Sequence, residues 1–197
     1  QAKQVLDKLL IRDVASWNAL IAGYSQHGKS EDALECLEGM LNDGLSPNAI
    51  TFTCILKACG IIRALDKGKQ IHKEIVNNGL LVKDSVLGTA LIGMYAKCGS
   101  LMEATKVFNM IQVHDVVSWT ALLAGFVQHG VTDKAHWCFQ QMQLEGVPPN
   151  AVTYACSLKA CSILKSWEKG REIHTIVQCM ELLEKDLYVG SSLVDMY

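Results

Sequence analysis

The sequence predicts an all-α fold, an α-solenoid of stacked helix–turn–helix repeats. Two observations predict it. The chain matches itself when it is shifted by 102 residues, and each 102-residue unit divides into three segments that share one plan. In each segment an apolar run ends at a glycine-type turn, and a second apolar-periodic run follows. One such hairpin cannot bury its apolar face alone, whereas stacked neighbours can.

The internal match needs no gaps. Residues 14–48 lie over 116–150 with 16 identities in 35 positions, including Ser-Trp-x-Ala-Leu, Gln-His-Gly and a closing Pro-Asn. Residues 49–84 lie over 151–186 with 16 identities in 36 positions, including Leu-Lys-Ala-Cys, Lys-Gly and Ile-His. The remaining third of the unit, 85–115, has 31 residues. The repeat lengths therefore alternate as 35, 36 and 31.

These matches divide the chain into one continuous solenoid of repeats. The boundaries are 1–13 for the second half of a repeat, then 14–48, 49–84, 85–115, 116–150 and 151–186, and 187–197 for the start of another. Because the chain begins and ends within a repeat, and neither end resembles a polar capping repeat, we expect it to be an excerpt of a longer array.

Local signals place the ends of the helices. Glycines such as Gly28 and Gly44 are predicted to terminate helices, as is Gly79 after Asn78. The residues predicted to cap the second helices are Ser30, Ser100 (in a capping box with Glu103) and Thr132. We expect Trp17 and Trp119, early in their first helices, to pack between repeats.

Composition limits the classes of function. The chain has 18 Lys and Arg against 20 Asp and Glu, which argues against a protein that holds nucleic acid mainly by neutralising phosphates. Its eight cysteines lie within apolar helical patterns, so we expect free, buried thiols in a reducing compartment. No apolar run approaches the roughly 18 residues that span a bilayer.

Two patterns resemble metal sites without completing them. Cys54-x4-Cys59 with His72 recurs 102 residues later, but two residues five apart on a helix point about 140° apart. Zinc also usually takes four ligands. His72-x-Glu74 matches half of the zinc deaminase signature, whose other half, Pro-Cys-x-x-Cys, does not occur in the sequence. We therefore expect no metal, no cofactor and no catalytic centre in this chain.

Three strings carry a family resemblance: D-V-A-S-W-N-A-L-I-A-G-Y at 13–24, G-T-A-L-I-G-M-Y-A-K-C-G at 88–99 and D-V-V-S-W-T-A-L-L-A-G-F at 115–126. Together with the 35–36–31 alternation, they resemble the pentatricopeptide-repeat family in its plant-type subclass of P, L and S repeats. The resemblance implies a right-handed superhelix. The repeat types that it implies are P at 14–48 and 116–150, L at 49–84 and 151–186, and S at 85–115 and in the partial repeats 1–13 and 187–197.

The resemblance also implies a way of binding single-stranded RNA. In this family each repeat faces one base, which its fifth and last residues select. An Asp in the last place only accepts hydrogen bonds, which suits the ring N–H of G or U, whereas an Asn can donate to A or C. In the family, Thr or Ser in the fifth place goes with purines and Asn with pyrimidines. The predicted base-selecting residues are Asn18, Asn48, Thr53, Asp84, Thr89, Asp115, Thr120, Asn150, Asp186 and Ser191.

Carried over repeat by repeat, the pattern predicts bases in 5′ to 3′ order. They are C or U for 14–48, nominally G for 49–84, G for 85–115, A for 116–150 and a purine for 187–197. L repeats follow the family pattern poorly, and Ala155 cannot form a hydrogen bond, so no base is predicted for 151–186. The second residue of each repeat flanks the bases. The predicted base-packing residues are Ile50, Val86, Val117 and Val152, with Ala15 and Tyr188 in the equivalent places.

Each of these residues has a structural alternative. Thr, Ser and Asn near the start of a helix are often caps, and a closing Asp or Asn is often a turn residue. Lys57, Lys97 and Lys159 would contact phosphates if they faced the concave groove, and a solvated surface position is the alternative.

The function that the resemblance implies is recognition of a target site for organelle RNA processing, such as C-to-U editing. Any deaminase would lie outside this chain or in a partner, so the chain itself is not an enzyme. The expected partners are a single-stranded organelle transcript and editing-complex proteins, with no membrane and no small-molecule substrate. The expected location is the mitochondrion or the chloroplast. The alternative is a protein-binding helical-repeat scaffold without RNA contact, which the near-neutral charge slightly favours.

Overall fold

The computed structural model describes residues 12–81 and 85–197, and of residues 184 and 185 only the backbone. Throughout these ranges the regular structure is helical, and no strand occurs within them. The fold is an all-α helical-repeat solenoid, as predicted. The chain forms two compact units, Gln1–Ile111 and Gln112–Tyr197, which are described one at a time.

The first unit contains paired helices. They are α1 (Val14–Gln26), α2 (Ser30–Asn42), α3 (Ala49–Ile61), α4 (Leu65–Asn77), α5 (Ser85–Lys97) and α6 (Leu101–Met110). Each first helix packs on the second helix of its own repeat, and α1, α3 and α5 also pack on one another in sequence order. The first helices therefore form one layer and the second helices another.

The second unit repeats this plan. Its helices are α7 (Val116–Gln128), α8 (Thr132–Leu144), α9 (Ala151–Leu164), α10 (Trp167–Cys179), the single turn α11 (Leu182–Lys185) and α12 (Leu187–Met196). Helix α9 packs on α7, α8, α10 and α12. Six helices, three in each unit, begin at the residues where the sequence divides into repeats: Val14, Ala49, Ser85, Val116, Ala151 and Leu187.

The two layers differ in how much of each helix is buried. Helix α3 has neighbours on several sides and buries residues around most of its circumference, including Phe52, Ile55 and Leu56. Helix α4 buries only Gly68, Ile71 and Ile75 along one stripe. A first helix is therefore apolar nearly all round, whereas a second helix is amphipathic. This difference explains why helical periodicity is clearer in the second half of each repeat.

Two of the three predicted caps of the second helices are wrong, and the third lacks its predicted capping box. Lys29 and Val131 occupy the N-cap positions instead of Ser30 and Thr132, and neither makes a side-chain cap bond. Ser100 is an N-cap but also makes no side-chain cap bond, and Glu103 pairs with Lys106 at 2.8 Å.

The turn between the two helices explains these absences. The N-cap residue of each second helix is also the last residue of the turn that closes the first helix. The Lys29 N–H donates to Tyr24 O at 2.9 Å across Gly28, whose φ of 72° favours glycine. This N-cap has a ψ of 65° rather than the extended backbone from which a side chain reaches the N3 amide.

The cysteines are free thiols, as predicted, but only half of them are buried: Cys54, Cys98 and Cys156 are half-buried and Cys179 is exposed. Burial raises the pKa of the Cys59 thiol to about 11 and that of the Cys138 thiol to about 12. At neutral pH both groups are protonated, and they act as small apolar side chains in the core.

Trp17 joins the two helices of its own repeat rather than two successive repeats. Its ring lies over Gly39 of α2, where an added Cβ would meet the ring carbon Cη2 at 2.6 Å. Its indole N–H donates to the Asp43 carboxylate at 3.1 Å. The glycine in the middle of α2 therefore makes room for the tryptophan.

The Lys-Gly-x-x-Ile-His string marks a junction between repeats. Gly68 of α4 faces Met94 of α5, and His72 Nδ1 lies 2.9 Å from the Tyr95 hydroxyl, with the rings edge to face. The second unit repeats the contact 102 residues later. The equivalent residues are Gly170 against Met196, and His174 with Tyr197 at 3.0 Å. One junction therefore explains the glycine and histidine of one repeat and the Met-Tyr pair of the next.

Substitution of the two helical glycines Gly39 and Gly23 by alanine should have opposite effects. Gly39→Ala should destabilise the protein by about 1–3 kcal/mol, because the buried Trp17 ring must move. Gly23→Ala should stabilise it by about 0.5–1 kcal/mol, because its Cβ meets nothing within 4 Å and alanine favours the helix. Urea denaturation of both variants measures the difference. Equal effects would contradict the Trp17 contact.

Stability should fall at acid pH partly through His72. Burial lowers the pKa of His72 from 6.5, against the opposing effect of Glu103. The unfolded chain therefore binds this proton at higher pH than the folded chain, so the stability present above about pH 6.5 is lost as the pH falls. Denaturation midpoints measured from pH 7.5 to 5 should fall less steeply in His72→Gln than in the unsubstituted protein.

The control for this experiment is His27→Gln, at the exposed end of α1. That variant should keep the full pH dependence. An unchanged pH dependence in His72→Gln would show that the His72 environment does not contribute.

Candidate functional site

A repeated aliphatic side chain lies exposed in the first turn of the first helices. Ile50 and Val86 in the first unit are 61% and 59% exposed, and Val117 and Val152 in the second are 54% and 55% exposed. Each is the second residue of its repeat, and Ala15 and Tyr188 in the same place are exposed too. Isolated exposed aliphatics are ordinary, but the same place in successive packed helices is a pattern that suits a ligand with apolar faces.

Within the described residues, the last residue of a repeat caps the first helix of the next. The capping residues Asp13, Asn48, Asp115 and Asn150 have extended backbone, and each side chain accepts from the N3 backbone N–H in a complete capping box. The third residue of the following repeat completes each box. These third residues are Ser16, Thr51, Ser118 and Thr153. The bond from the Ser16 backbone lowers the pKa of Asp13.

Capping fixes which atom the last residue presents outward. Oδ1 of Asn48 must be oxygen, because it accepts from the Thr51 N–H at 3.1 Å, so the amino group Nδ2 is the other terminal atom. In Asp115 the same bond, 2.8 Å from the Ser118 N–H, occupies Oδ1 and leaves the carboxylate oxygen Oδ2. The caps are exposed residues, so Asn offers a donor and Asp an acceptor beside the exposed aliphatic side chain.

Two of the predicted fifth residues are linked to the cap that follows them, one directly and one through the third residue of the next repeat. Asn18 Nδ2 donates to Asn48 Oδ1 at 3.2 Å. Thr120 is joined to Asn150 through Thr153, whose hydroxyl lies 2.8 Å from that of Thr120 and 2.9 Å from Asn150 Oδ1. Both Asn18 and Thr120 are 8% exposed, so most of the accessible polar surface of each pair belongs to the last residue.

The other predicted residues differ from these pairs in their burial and hydrogen bonds. Thr53 and Thr89 are half-buried, and the Thr53 hydroxyl donates to Ala49 O of its own helix at 2.8 Å. Asp186 caps α12 by accepting from the Tyr188 N–H at 2.8 Å. Ser191 is exposed and donates to Tyr188 O at 3.1 Å. Asp84 lies outside the described residues.

Sequence reasoning missed the third residues of the repeats. Thr51, Ser118 and Thr153 are at most 1% exposed, and each holds the preceding cap through two bonds or more. A signal was available, because Asp or Asn followed three residues later by Ser or Thr recurs at 13–16, 48–51, 115–118 and 150–153.

Three lysines on first helices are exposed. In the first unit Lys57 is seven residues after Ile50 and four after Thr53, so these side chains share one helix face. Lys97 of the same unit lies eight residues after Thr89 on α5. In the second unit Lys159 occupies on α9 the place that Lys57 has on α3.

Two other kinds of site are absent from residues 12–81 and 85–197. Nowhere in those ranges do three His, Cys, Asp or Glu side chains lie close enough together to hold a metal ion. Each helix in the same ranges is too short or too polar to span a bilayer.

The sequence matches one repeat family throughout the chain. The PPR repeat family matches residues 12–60 and 114–162, and the PPR repeat matches residues 89–116. A pentatricopeptide repeat-containing protein of Arabidopsis thaliana is 37% identical over the whole chain. Two others from the same plant, one named as chloroplastic and one as mitochondrial, are 38% and 39% identical. The chain spans about a quarter of these relatives, from 24% to 31% of their length.

Solved structures share the fold. The pentatricopeptide repeat protein PPR10, in complex with an 18-nt psaJ RNA element, superposes on 97% of this chain with a TM-score of 0.75 at 18% identity. Nuclear proteinaceous RNase P 2 of Arabidopsis thaliana superposes on 84% of it with a TM-score of 0.63 at 15% identity. The chain covers 27% and 38% of those two chains.

The contribution of the Asn48 cap should be measurable as a change in the free energy of unfolding. Asn48→Ala should cost about 1 kcal/mol, because α3 loses its N-cap acceptor and Asn18 loses its partner. Asn48→Asp keeps an Oδ1 acceptor and should change the free energy of unfolding by no more than about 0.5 kcal/mol. Asn42→Ala, at the exposed end of α2, is the matched control and should be nearly neutral. Equal losses in all three variants would contradict the capping role.

Proposed function

Because this chain belongs to the pentatricopeptide-repeat family, we propose that it binds single-stranded RNA, with one base facing each repeat. The fifth and last residues of a repeat select the base, and the second residues of successive repeats pack against its faces. The observation that carries the proposal is the exposed cap beside an exposed aliphatic side chain, because a base needs a directional polar partner at its edge and an apolar surface at its face.

The chemistry of the caps supports a choice between bases. Asn48 and Asn150 offer amino groups, which can donate to the unprotonated ring nitrogen of C or A. Asp115 offers a carboxylate oxygen, which accepts from the ring N–H of G or U. The proposed order from 5′ to 3′ is therefore C or U, nominally G, G, A, any base and a purine, one for each repeat from 14–48 onward.

The low net charge limits how many RNA phosphates the chain can neutralise. With 18 cationic side chains against 20 anionic ones, few phosphates are neutralised, and the lysines at 57, 97 and 159 are the available contacts. Affinity should therefore depend only shallowly on salt. The fold match to a protein solved with RNA, PPR10, supports the same mode of binding.

We further propose that this RNA binding selects a target site for processing in an organelle. The 35–36–31 alternation supports the subclass of P, L and S repeats and, with it, C-to-U editing. Relatives named as chloroplastic and mitochondrial support either organelle. Because the chain spans about a quarter of its relatives, the catalytic step and contacts with editing-complex proteins are assigned to segments or partners outside this chain.

A protein-binding scaffold is the second candidate, favoured by the near-neutral charge and by the exposed aliphatic side chains. Equilibrium binding measurements distinguish the two. RNA that carries the proposed bases should bind more tightly than RNA with its G and A exchanged. Equal and negligible binding of both RNAs would favour the scaffold.

Exchange of one base-selecting pair should redirect the preference of its repeat. Thr120→Asn together with Asn150→Asp replaces a pair typical of A by one typical of U, so the variant should prefer U where the unsubstituted chain prefers A. The expected change is about tenfold or more in the ratio of the two affinities, as for a discriminating base contact. Val131→Thr, at an N-cap of a second helix, is the control and should leave the ratio unchanged.

A further inference from the structure

The third residue of a repeat lies between the two residues proposed to select the preceding base. Thr51 and Thr153 are completely buried, and each touches both members of the preceding pair. No role in RNA recognition follows from their position alone, because a buried side chain cannot reach a base. Their role is to determine which atoms of the pair remain available.

The proton of the Thr51 hydroxyl fixes two amides. That hydroxyl accepts from the Asn48 backbone N–H at 3.1 Å and is 2.6 Å from Asn18 Oδ1, to which it donates. With its oxygen held, Asn18 must turn its amino group toward Asn48 Oδ1, 3.2 Å away. Asn48 Oδ1 also accepts the Thr51 N–H, so three residues close a cycle and the Asn48 amino group is the part left outside it.

The Thr153 hydroxyl has the same place in the second unit. It lies 2.8 Å from the Thr120 hydroxyl and 2.9 Å from Asn150 Oδ1. The Thr120 hydroxyl is also 2.6 Å from Val116 O. The Thr120 proton is directed either to Val116 O or to Thr153. In both arrangements a lone pair of the Thr120 oxygen remains, so Thr120 can accept from a base but has no proton to donate.

The repeats that follow 49–84 and 151–186 lack this hydroxyl. Their third residues are Leu87 and Val189, both completely buried and both aliphatic. Asp186 still caps α12, accepting from the Tyr188 and Val189 N–H groups. Its side chain receives no hydroxyl proton from the third position, and the fifth residue of its repeat, Ala155, has no hydrogen-bonding group in its side chain.

From this difference we propose that a threonine at the third position, Thr51 or Thr153, is a positioning residue for the base choice of the repeat before it. This inference rests on the proposed RNA binding and deepens it. The threonine hydroxyl locks the fifth and last residues of 14–48 and of 116–150 into one donor and acceptor pattern, and these repeats discriminate between bases. An aliphatic third residue supplies no such link, and the preceding repeat, 49–84 or 151–186, discriminates weakly.

The test compares Thr153→Val with Thr153→Ser in the 197-residue chain. Valine keeps the shape and removes the hydroxyl, whereas serine keeps the hydroxyl. Affinities are measured for two RNAs of the proposed order that differ only in A or G at the base facing 116–150. Thr153→Val should reduce the preference for A by about fivefold, the factor that corresponds to one oriented hydrogen bond, and Thr153→Ser should restore most of it.

A matched control separates positioning from stability. Thr132→Val removes a buried hydroxyl from α8 in the same unit, away from the base-selecting pair, and should leave the preference for A unchanged. Thermal unfolding of each variant establishes that it is folded at the temperature of the binding measurement. A variant that is less stable but equally selective would count against positioning.

The outcomes are distinguishable. If the unsubstituted chain binds both RNAs negligibly, the proposed function is overturned and this inference with it. If it prefers A, and Thr153→Val prefers A to the same degree, the inference alone is overturned. A loss of preference in Thr153→Val that Thr153→Ser repairs supports both.

Discussion

The side-chain cap at the start of the first helices α1, α3, α7, α9 and α12 is the interaction on which the candidate site depends. Four backbone N–H groups at the start of a helix have no partner within it, and a side-chain acceptor must supply one. In this chain Asn or Asp supplies it, and only one of its two terminal atoms is used. The same side chain therefore stabilises the helix and offers its second atom to solvent. Asn and Asp cap about equally well, so the choice between them is open to selection by a ligand.

The layered packing keeps this arrangement in the same place in each repeat. First helices contact one another within each unit, so their first turns, with caps and exposed aliphatic residues, follow one another along a face. The second helices hold this layer from behind through contacts such as Trp17 over Gly39 and Met94 over Gly68. Glycine occurs where a ring or a thioether must approach a helix backbone closely.

The sequence alone predicted the fold and the residues at which the first helices start, because the same sequence signals recur in several repeats. It was insufficient for the second helices, where Ser30 and Thr132 look like caps but the turn after Gly28 or Gly130 already determines the backbone. The roles of Thr51 and Thr153 also required coordinates. Their hydroxyls contact Asn18 and Thr120, each 33 residues earlier in the chain, and no local pattern reports such a contact.

The junction made by His72 with Tyr95 and by Gly68 with Met94 recurs after 102 residues and has a consequence for how such chains can change. A duplication or deletion that begins and ends at equivalent points preserves every complementary surface, whereas one that removes a single repeat leaves a histidine facing the wrong helix. The 102-residue unit of three repeats is therefore the smallest segment whose copying keeps this junction between a histidine and a tyrosine intact.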